Sequence, residues 1–419
     1  MRPQSTGEHL GEPRCYLRRM PLPTFATALG VVCAVVTLVA CSPNTSGSAE
    51  SGSATAPQSA ATGDHARGAE TSGRAVVVIE GGGSPHAYTS PWSACEGGRP
   101  EYVQALLDSG LPVFTAPGFS NTSSSVVGES GCPAQPPLAV QWNTSAYPTQ
   151  AGQAVLGFLG YLNKTYGYQT FDLVGYSYGG LIARATVAAL KSTAPTAMAP
   201  AFSYAQAAID AGVKIPSIVT LNSPHLGAPA YDVADDPTAY LQPVTLAWGK
   251  QYANSSKTLV VFERTEGAGA IQALRTSAHA RPDPKSWDSS QVGVLDGVAL
   301  TMVAGDYCGL TCGDKPAATL SEAQKSRRTD ATVPVYSQLM LPCPQPCPAP
   351  PGSVYLPPGL LPEAKVVRQT FPTVHSTFVA GELGLPKELS VSRNPAAIAY
   401  LLNTVQSQWQ LAGAKLLSR

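Results

Sequence analysis

The sequence predicts an α/β fold, a mainly parallel sheet with helices on both faces, and three observations carry that expectation. Short continuous apolar runs recur (Ala75–Ile79, Ile215–Leu221, Val298–Ala304), as expected of strands buried on both faces of a parallel sheet. Helix-period segments alternate with them, which implies right-handed crossovers within one sheet. The residues able to do chemistry fall at the C-terminal ends of these runs, where open α/β sheets bind their ligands.

The fold begins near residue 74. Arg14, Arg18 and Arg19 followed by the apolar stretch Phe25–Ala40 read as a signal peptide over 1–40, too short for a membrane span of about 20 residues. Arg18-Arg19 is only a faint twin-arginine signal. The stretch ends Leu38-Val39-Ala40-Cys41, which resembles the bacterial lipobox, whose cysteine is lipidated after cleavage; an ordinary signal peptide is the competing reading. Residues 42–73 are Ser, Gly, Ala and Thr with almost no large apolar side chain, so 41–73 reads as a lipidated cysteine plus flexible tether. Together these features predict an exported lipoprotein, anchored on the outer face of the cytoplasmic membrane or the cell surface, or secreted.

Residues 74–419 suit one catalytic-sized domain with an inserted cap. An apolar fraction of 44% supports a sizeable core, and 27 basic against 27 acidic residues give no reason to expect a nucleic-acid partner. No obligate protein partner, metal or cofactor is called for. Six cysteines follow Cys41 (Cys95, Cys132, Cys308, Cys312, Cys343, Cys347), an even number that in an exported chain predicts up to three disulfides. Spacing leaves their pairing open, with Cys95–Cys132 plus two bridges among the rest favoured over a four-thiolate zinc site.

In chain order, 74–79 is the first strand and stops at Glu80-Gly81-Gly82-Gly83. Residues 102–109 form a short helix pattern, and 111–115 a second strand. Residues 150–166 read as an amphipathic helix with Val155, Phe158, Leu159 and Leu162 on one face. The run Phe171–Val174 leads into Gly175-Tyr176-Ser177-Tyr178-Gly179, and a helix-compatible run, 181–190, follows at once. Residues 205–211 are helical and 215–221 a strand ending Asn222-Ser223-Pro224-His225-Leu226-Gly227. Residues 228–297 fit the alternation poorly and are best read as a cap over the site, with a helix pattern near 268–277. Strands at 298–304 and 364–370, a proline-dense loop at 342–362 and a closing amphipathic helix at 394–408 complete the chain.

Gly-x-Ser-x-Gly between a strand and a helix is the pattern of a nucleophile elbow, a turn so tight that the serine is strained and its hydroxyl exposed above the sheet. Serine needs a histidine to take its proton and an acid to orient that imidazole. Of the histidines after Ser177, His375 follows the last strand; His225 is expected to orient a loop, and His279 to be solvated in a basic run of the cap. The acid has two contenders, Asp330 and Asp306, and strand-end position alone favours Asp306.

These residues resemble the lipase and esterase branch of the α/β-hydrolase superfamily. Gly175-Tyr-Ser-Tyr-Gly-Gly-Leu-Ile-Ala-Arg184 is similar to that branch's Gly-His-Ser-Met-Gly-Gly-Leu-Val-Ala-Arg elbow. Thr220–Gly227 is similar to its Thr-Pro-His-x-Gly turn, and Asp330-Ala-Thr-Val-Pro334 to its Asp-Gly-x-Val-Pro segment. The resemblance implies catalytic Ser177, Asp330 and His375, and a compact version of the fold lacking the first two antiparallel strands. It implies ester cleavage through an acyl-enzyme, acting on lipid-like substrates without a cofactor. Acyl transfer by the same triad, or a non-catalytic surface lipoprotein of the same fold, are the alternatives. One residue departs from the pattern: the family places His-Gly after the first strand, where this chain has Glu80-Gly81-Gly82. The backbone N–H groups of Gly82 and Tyr178 remain the expected oxyanion hole, which a charged Glu80 facing it would oppose.

Overall fold

The computed structural model describes residues 73–82, 100–119, 140–144, 146–192, 201–229, 269–279, 287–307, 328–343, 356–361 and 365–417. The chain divides into two units, Met1–Gly68 and Ala69–Arg419, and every described residue lies in the second. The expected signal peptide, Cys41, the tether and five of the six later cysteines lie outside the described residues. Cys343 is disulfide-bonded.

Six parallel strands form the main sheet: β1 (Arg74–Ile79), β2 (Val113–Thr115), β3 (Thr170–Tyr176), β4 (Lys214–Leu221), β5 (Ala299–Gly305) and β6 (Val366–Phe371). Their spatial order is β2-β1-β3-β4-β5-β6, every pair parallel, so among the described residues no antiparallel strand joins this sheet. A separate pair of two-residue strands, Gly118–Phe119 and Trp142–Asn143, has no counterpart in the sequence expectation. It is too short to show a period-two pattern.

Side-chain alternation explains why β1 reads as unbroken apolar sequence. Ala75, Val77 and Ile79 enter one buried cluster with helices α2 (Pro148–Tyr166), α3 (Gly179–Lys191) and α4 (Ala201–Asp210). Val76 and Val78 enter a second, opposite cluster with α1 (Glu101–Asp108) and the C-terminal helix (Pro395–Leu417), through Tyr102, Leu106, Leu401 and Val405. Both faces of the strand are therefore covered, and no polar alternation is tolerated.

The cap expectation over 228–297 needs correction where the chain is described. The helix Gly269–Leu274 and the segment from Trp287 to Leu295 contribute Ala270, Ala273, Leu274, Trp287 and Leu295 to the first core cluster, so these parts are core, not lid. The reason is an ion pair formed far along the chain. Arg184 of α3 is fully buried, donates to Asp288 at 2.9 Å and lies 4.3 Å over the Trp287 ring. Asp288 also receives His279 Nδ1 at 2.6 Å, while His279 Nε2 meets the Ala273 carbonyl at 2.8 Å. Burial alone would raise the Asp288 carboxyl, but His279 and Arg184 hold it below its ordinary value. The histidine expected to be solvated is thus buried, both its ring nitrogens facing acceptors.

A second buried charge group joins the first strand to the last helix. Asp172 on β3 accepts two hydrogen bonds from Arg74 (2.6 and 2.7 Å), one from Ser217, and one from Trp409 Nε1 at 2.7 Å. Removing one partner of such a pair strands the other charge in low dielectric. Asp172→Ala is expected to cost about 3–5 kcal/mol in urea unfolding. Activity per folded molecule should persist, because residue 172 lies five positions, about 16 Å of strand, before Ser177.

Candidate active site

Only Ser177 and Tyr178 separate the end of β3 from the start of α3. Ser177 takes φ 52°, a left-handed conformation that a residue with a Cβ adopts at a cost of about 1–3 kcal/mol. Close packing on both sides imposes it. A Cβ at Gly175 would lie 2.6 Å from the Cα of Gly180, and one at Gly179 only 2.0 Å from the Ile79 carbonyl oxygen. The Ser177 N–H donates to the Leu221 carbonyl of β4 at 2.8 Å, which fixes the turn to the sheet.

The structure brings three of the sequence-derived residues into one line. Ser177 Oγ lies 2.8 Å from His375 Nε2, and His375 Nδ1 lies 2.7 Å from Asp330 Oδ2. A carboxylate against Nδ1 places the hydrogen there in the neutral ring, which leaves Nε2 free to accept the serine proton. Asp330 is fully buried, and its other oxygen accepts the N–H groups of Thr332 (2.9 Å) and Val333 (2.6 Å). The His375 N–H donates to the Asp330 carbonyl at 2.8 Å, and the His375 carbonyl accepts the Tyr176 hydroxyl at 2.8 Å. The ring is held from backbone and side chain alike.

Asp306 stands elsewhere. It pairs with Arg328 (Nε to Oδ2, 2.6 Å), two residues before Asp330, and so ties the base of the acid loop to the end of β5. His225 is buried, with Nε2 3.0 Å from the Thr220 hydroxyl; burial and then the nearby Arg184 charge hold its imidazole well below its ordinary value, hence neutral. Sequence reasoning missed Gln338. Its amide nitrogen donates to the carbonyls of Val333 and Gly305, and its oxygen accepts the Gly305 N–H at 2.9 Å, which clamps the acid loop to β5. Nothing local marks it, because its partners come from another strand.

The turn after β1 lies against the nucleophile. A Cβ at Gly81 would sit 3.2 Å from the Ser177 Cβ, and one at Gly82 would sit 3.5 Å from the Tyr178 Cβ. The two expected oxyanion donors are therefore neighbours beside the serine. Glu80 is buried just beneath them, its Oε1 accepting the Tyr102 hydroxyl at 3.1 Å. Burial pushes its carboxyl up to about 7, against the weaker downward pull of Tyr102 and the Gly81 N–H. Among the described residues no group of three or more His, Cys, Asp or Glu is arranged to hold a metal ion.

Residues 149–254, about a quarter of the chain, match the family model described as "Putative serine esterase (DUF676)". That stretch contains the strand, the strained serine and the helix of the elbow. The chain has an α/β fold, a mainly parallel sheet with helices on both faces. Solved structures similar to this chain include lipase BlEst2 of Bacillus licheniformis in its propeptide form (12% identity, TM-score 0.34, covering 63% of this chain and 42% of that one). Others are the lin2722 gene product of Listeria innocua (13%, TM-score 0.34, 78% and 91%) and EstA of Clostridium botulinum (13%, TM-score 0.34, 74% and 83%). The chain thus spans less than half the length of the propeptide-form lipase. No curated protein matches it.

Glu80 makes the stability of the protein pH-dependent. In the native state its carboxyl holds a proton up to about 7, whereas the unfolded chain releases it near 4.5, so between these values the native state binds more protons. Stability must then fall as pH rises through that window, by about 3 kcal/mol for this one group. Urea unfolding at pH 4.5 and pH 8 should show this loss in wild type and not in Glu80→Gln.

Proposed function

We propose that this chain is a serine ester hydrolase that cleaves lipid-like carboxylic esters through an acyl-enzyme. The observation that carries the reading is the unbroken line from Ser177 Oγ through His375 to Asp330, at 2.8 and 2.7 Å, mounted on a strained serine turn. Ser177 attacks the ester carbonyl while His375 Nε2 takes its proton. The imidazolium is stabilised by the Asp330 carboxylate, and the oxyanion by the N–H groups of Gly82 and Tyr178. The tetrahedral intermediate collapses, His375 hands its proton to the departing alcohol, and the acyl group remains on Ser177. Water then repeats the sequence with His375 as base, releasing the acid and restoring the serine. The lipid-like character of the substrate is supported by the esterase family match together with the lipobox-like Leu38–Cys41, which would hold the enzyme at a membrane surface.

Ser177→Ala should lower kcat on p-nitrophenyl esters by roughly 10⁶-fold with folding intact by circular dichroism, and should abolish labelling by a fluorophosphonate probe. Asp330→Asn should cost about 10⁴-fold, because the imidazole would adopt the wrong tautomer. Turnover by Ser177→Ala comparable to wild type would defeat the reading. The anchor proposal is read separately: a metabolic fatty-acid label should enter wild type and not Cys41→Ser, and equal labelling of both would rule it out.

A further inference from the structure

We propose that Glu80 is a positioning residue for the oxyanion-binding turn, competent only while its carboxyl is uncharged. The inference rests on the serine hydrolase reading and concerns one step of it. Glu80 is the residue between β1 and the Gly81–Gly82 turn, so its conformation sets where that turn lies. It is held from two sides. Its backbone carbonyl packs on the start of α3, where a Cβ at Gly179 would come within 2.6 Å. Its side chain is buried toward α1, bonded to the Tyr102 hydroxyl and to the Gly81 N–H. The Gly81 N–H is the link immediately before the Gly82 N–H assigned to the oxyanion, so the carboxyl holds the donor's own peptide neighbour.

The groups facing Glu80 make its charge matter. Both hydrogen-bond donors are neutral. The Tyr102 ring lies 6.0 Å from that of Tyr176, and Tyr176 in turn lies 5.8 Å from the His375 ring and feels the carboxylates of both Glu80 and Asp330. On α1, Glu101 is paired at 2.8 Å with Arg393 and is partly exposed. An ionised Glu80 would thus be a second buried negative charge, with Asp330, acting on Tyr176, and it would sit on the residue that leads into the turn assigned to the oxyanion. A buried negative charge in low dielectric opposes an oxyanion transition state more than the neutral ground state.

The test is the pH dependence of kcat on p-nitrophenyl butyrate for wild type, Glu80→Gln and Tyr102→Phe. Wild type should lose about tenfold in kcat as pH rises from 6.5 to 9, with KM little changed, since the lost interaction is made to the oxyanion. Glu80→Gln keeps the shape and cannot ionise, so its alkaline limb should vanish. Tyr102→Phe removes a donor that favours the carboxylate, so its limb should move to higher pH; should the glutamine variant fail to fold, this shift decides alone. Active wild type with the same alkaline limb in all three proteins overturns the role of Glu80 and leaves the hydrolase intact. Absence of any Ser177-dependent turnover in wild type overturns both.

Discussion

Everything at this site hangs on one tight approach, the start of α3 pressed against the ends of β1 and β3. With the Ile79 carbonyl where a Cβ of residue 179 would be, the chain has no room for a relaxed turn, and Ser177 is forced to φ 52°. Strain of this kind persists only where the surroundings over-determine it. Here they are a paired strand on each side of β3 and a helix buried along most of its length. The parallel register then decides the rest, because it brings all C-terminal strand ends to one edge. From β1 comes the glycine turn, from β4 the anchor for the serine N–H, and beyond β6 the histidine. Gly305 at the end of β5 leaves the space that Asp330 fills, since a Cβ there would lie 2.7 Å from the Asp330 Cβ.

Buried charge is handled in two different ways. Away from the nucleophile it is neutralised outright, Asp172 by Arg74 and Asp288 by Arg184 and His279. Such groups join elements distant in sequence and contribute little net stability, yet breaking one is costly. At the site, among the described residues, no permanent cation touches either carboxyl. Asp330 receives two backbone N–H groups and the imidazole, and Glu80 receives a phenol and one N–H. This leaves the field of the site free to respond to an anion that forms and disappears.

The parallel sheet and the line Ser177–His375–Asp330 were legible because each depends on local pattern: apolar runs, glycine spacing and chain order. The choice of Asp330 over Asp306 was a motif judgement, and the geometry supplies a physical reason. Asp306 is held by Arg328, which presents the loop that carries Asp330. What escaped the sequence depends on partners far along the chain. His279 sits in a polar, basic stretch, and only the approach of Asp288 and Arg184 makes it a core residue. Gln338 has no hydrophobic period to mark it, and its role follows from the position of Gly305. The supposed cap drew its reading from broken alternation, yet much of its described part fills the core with small residues such as Ala270 and Ala273 that carry little pattern of their own.

Tyr176 explains why the acid and base sides of the site can respond separately. Its hydroxyl donates to the His375 carbonyl, and burial, followed by the Glu80 and Asp330 charges, pushes its ionisation far upward. It therefore stays a donor across the whole working range, and the anchor it gives to the histidine backbone does not weaken when a neighbour titrates. His375 is further tied by its own N–H to the Asp330 carbonyl, a bond with no titrating partner. In the proposed mechanism, a change of charge at Glu80 thus reaches the reaction through the glycine turn it adjoins and through the field at the oxyanion. It does not act by releasing the base, which is fastened on the other side by groups that keep their protons.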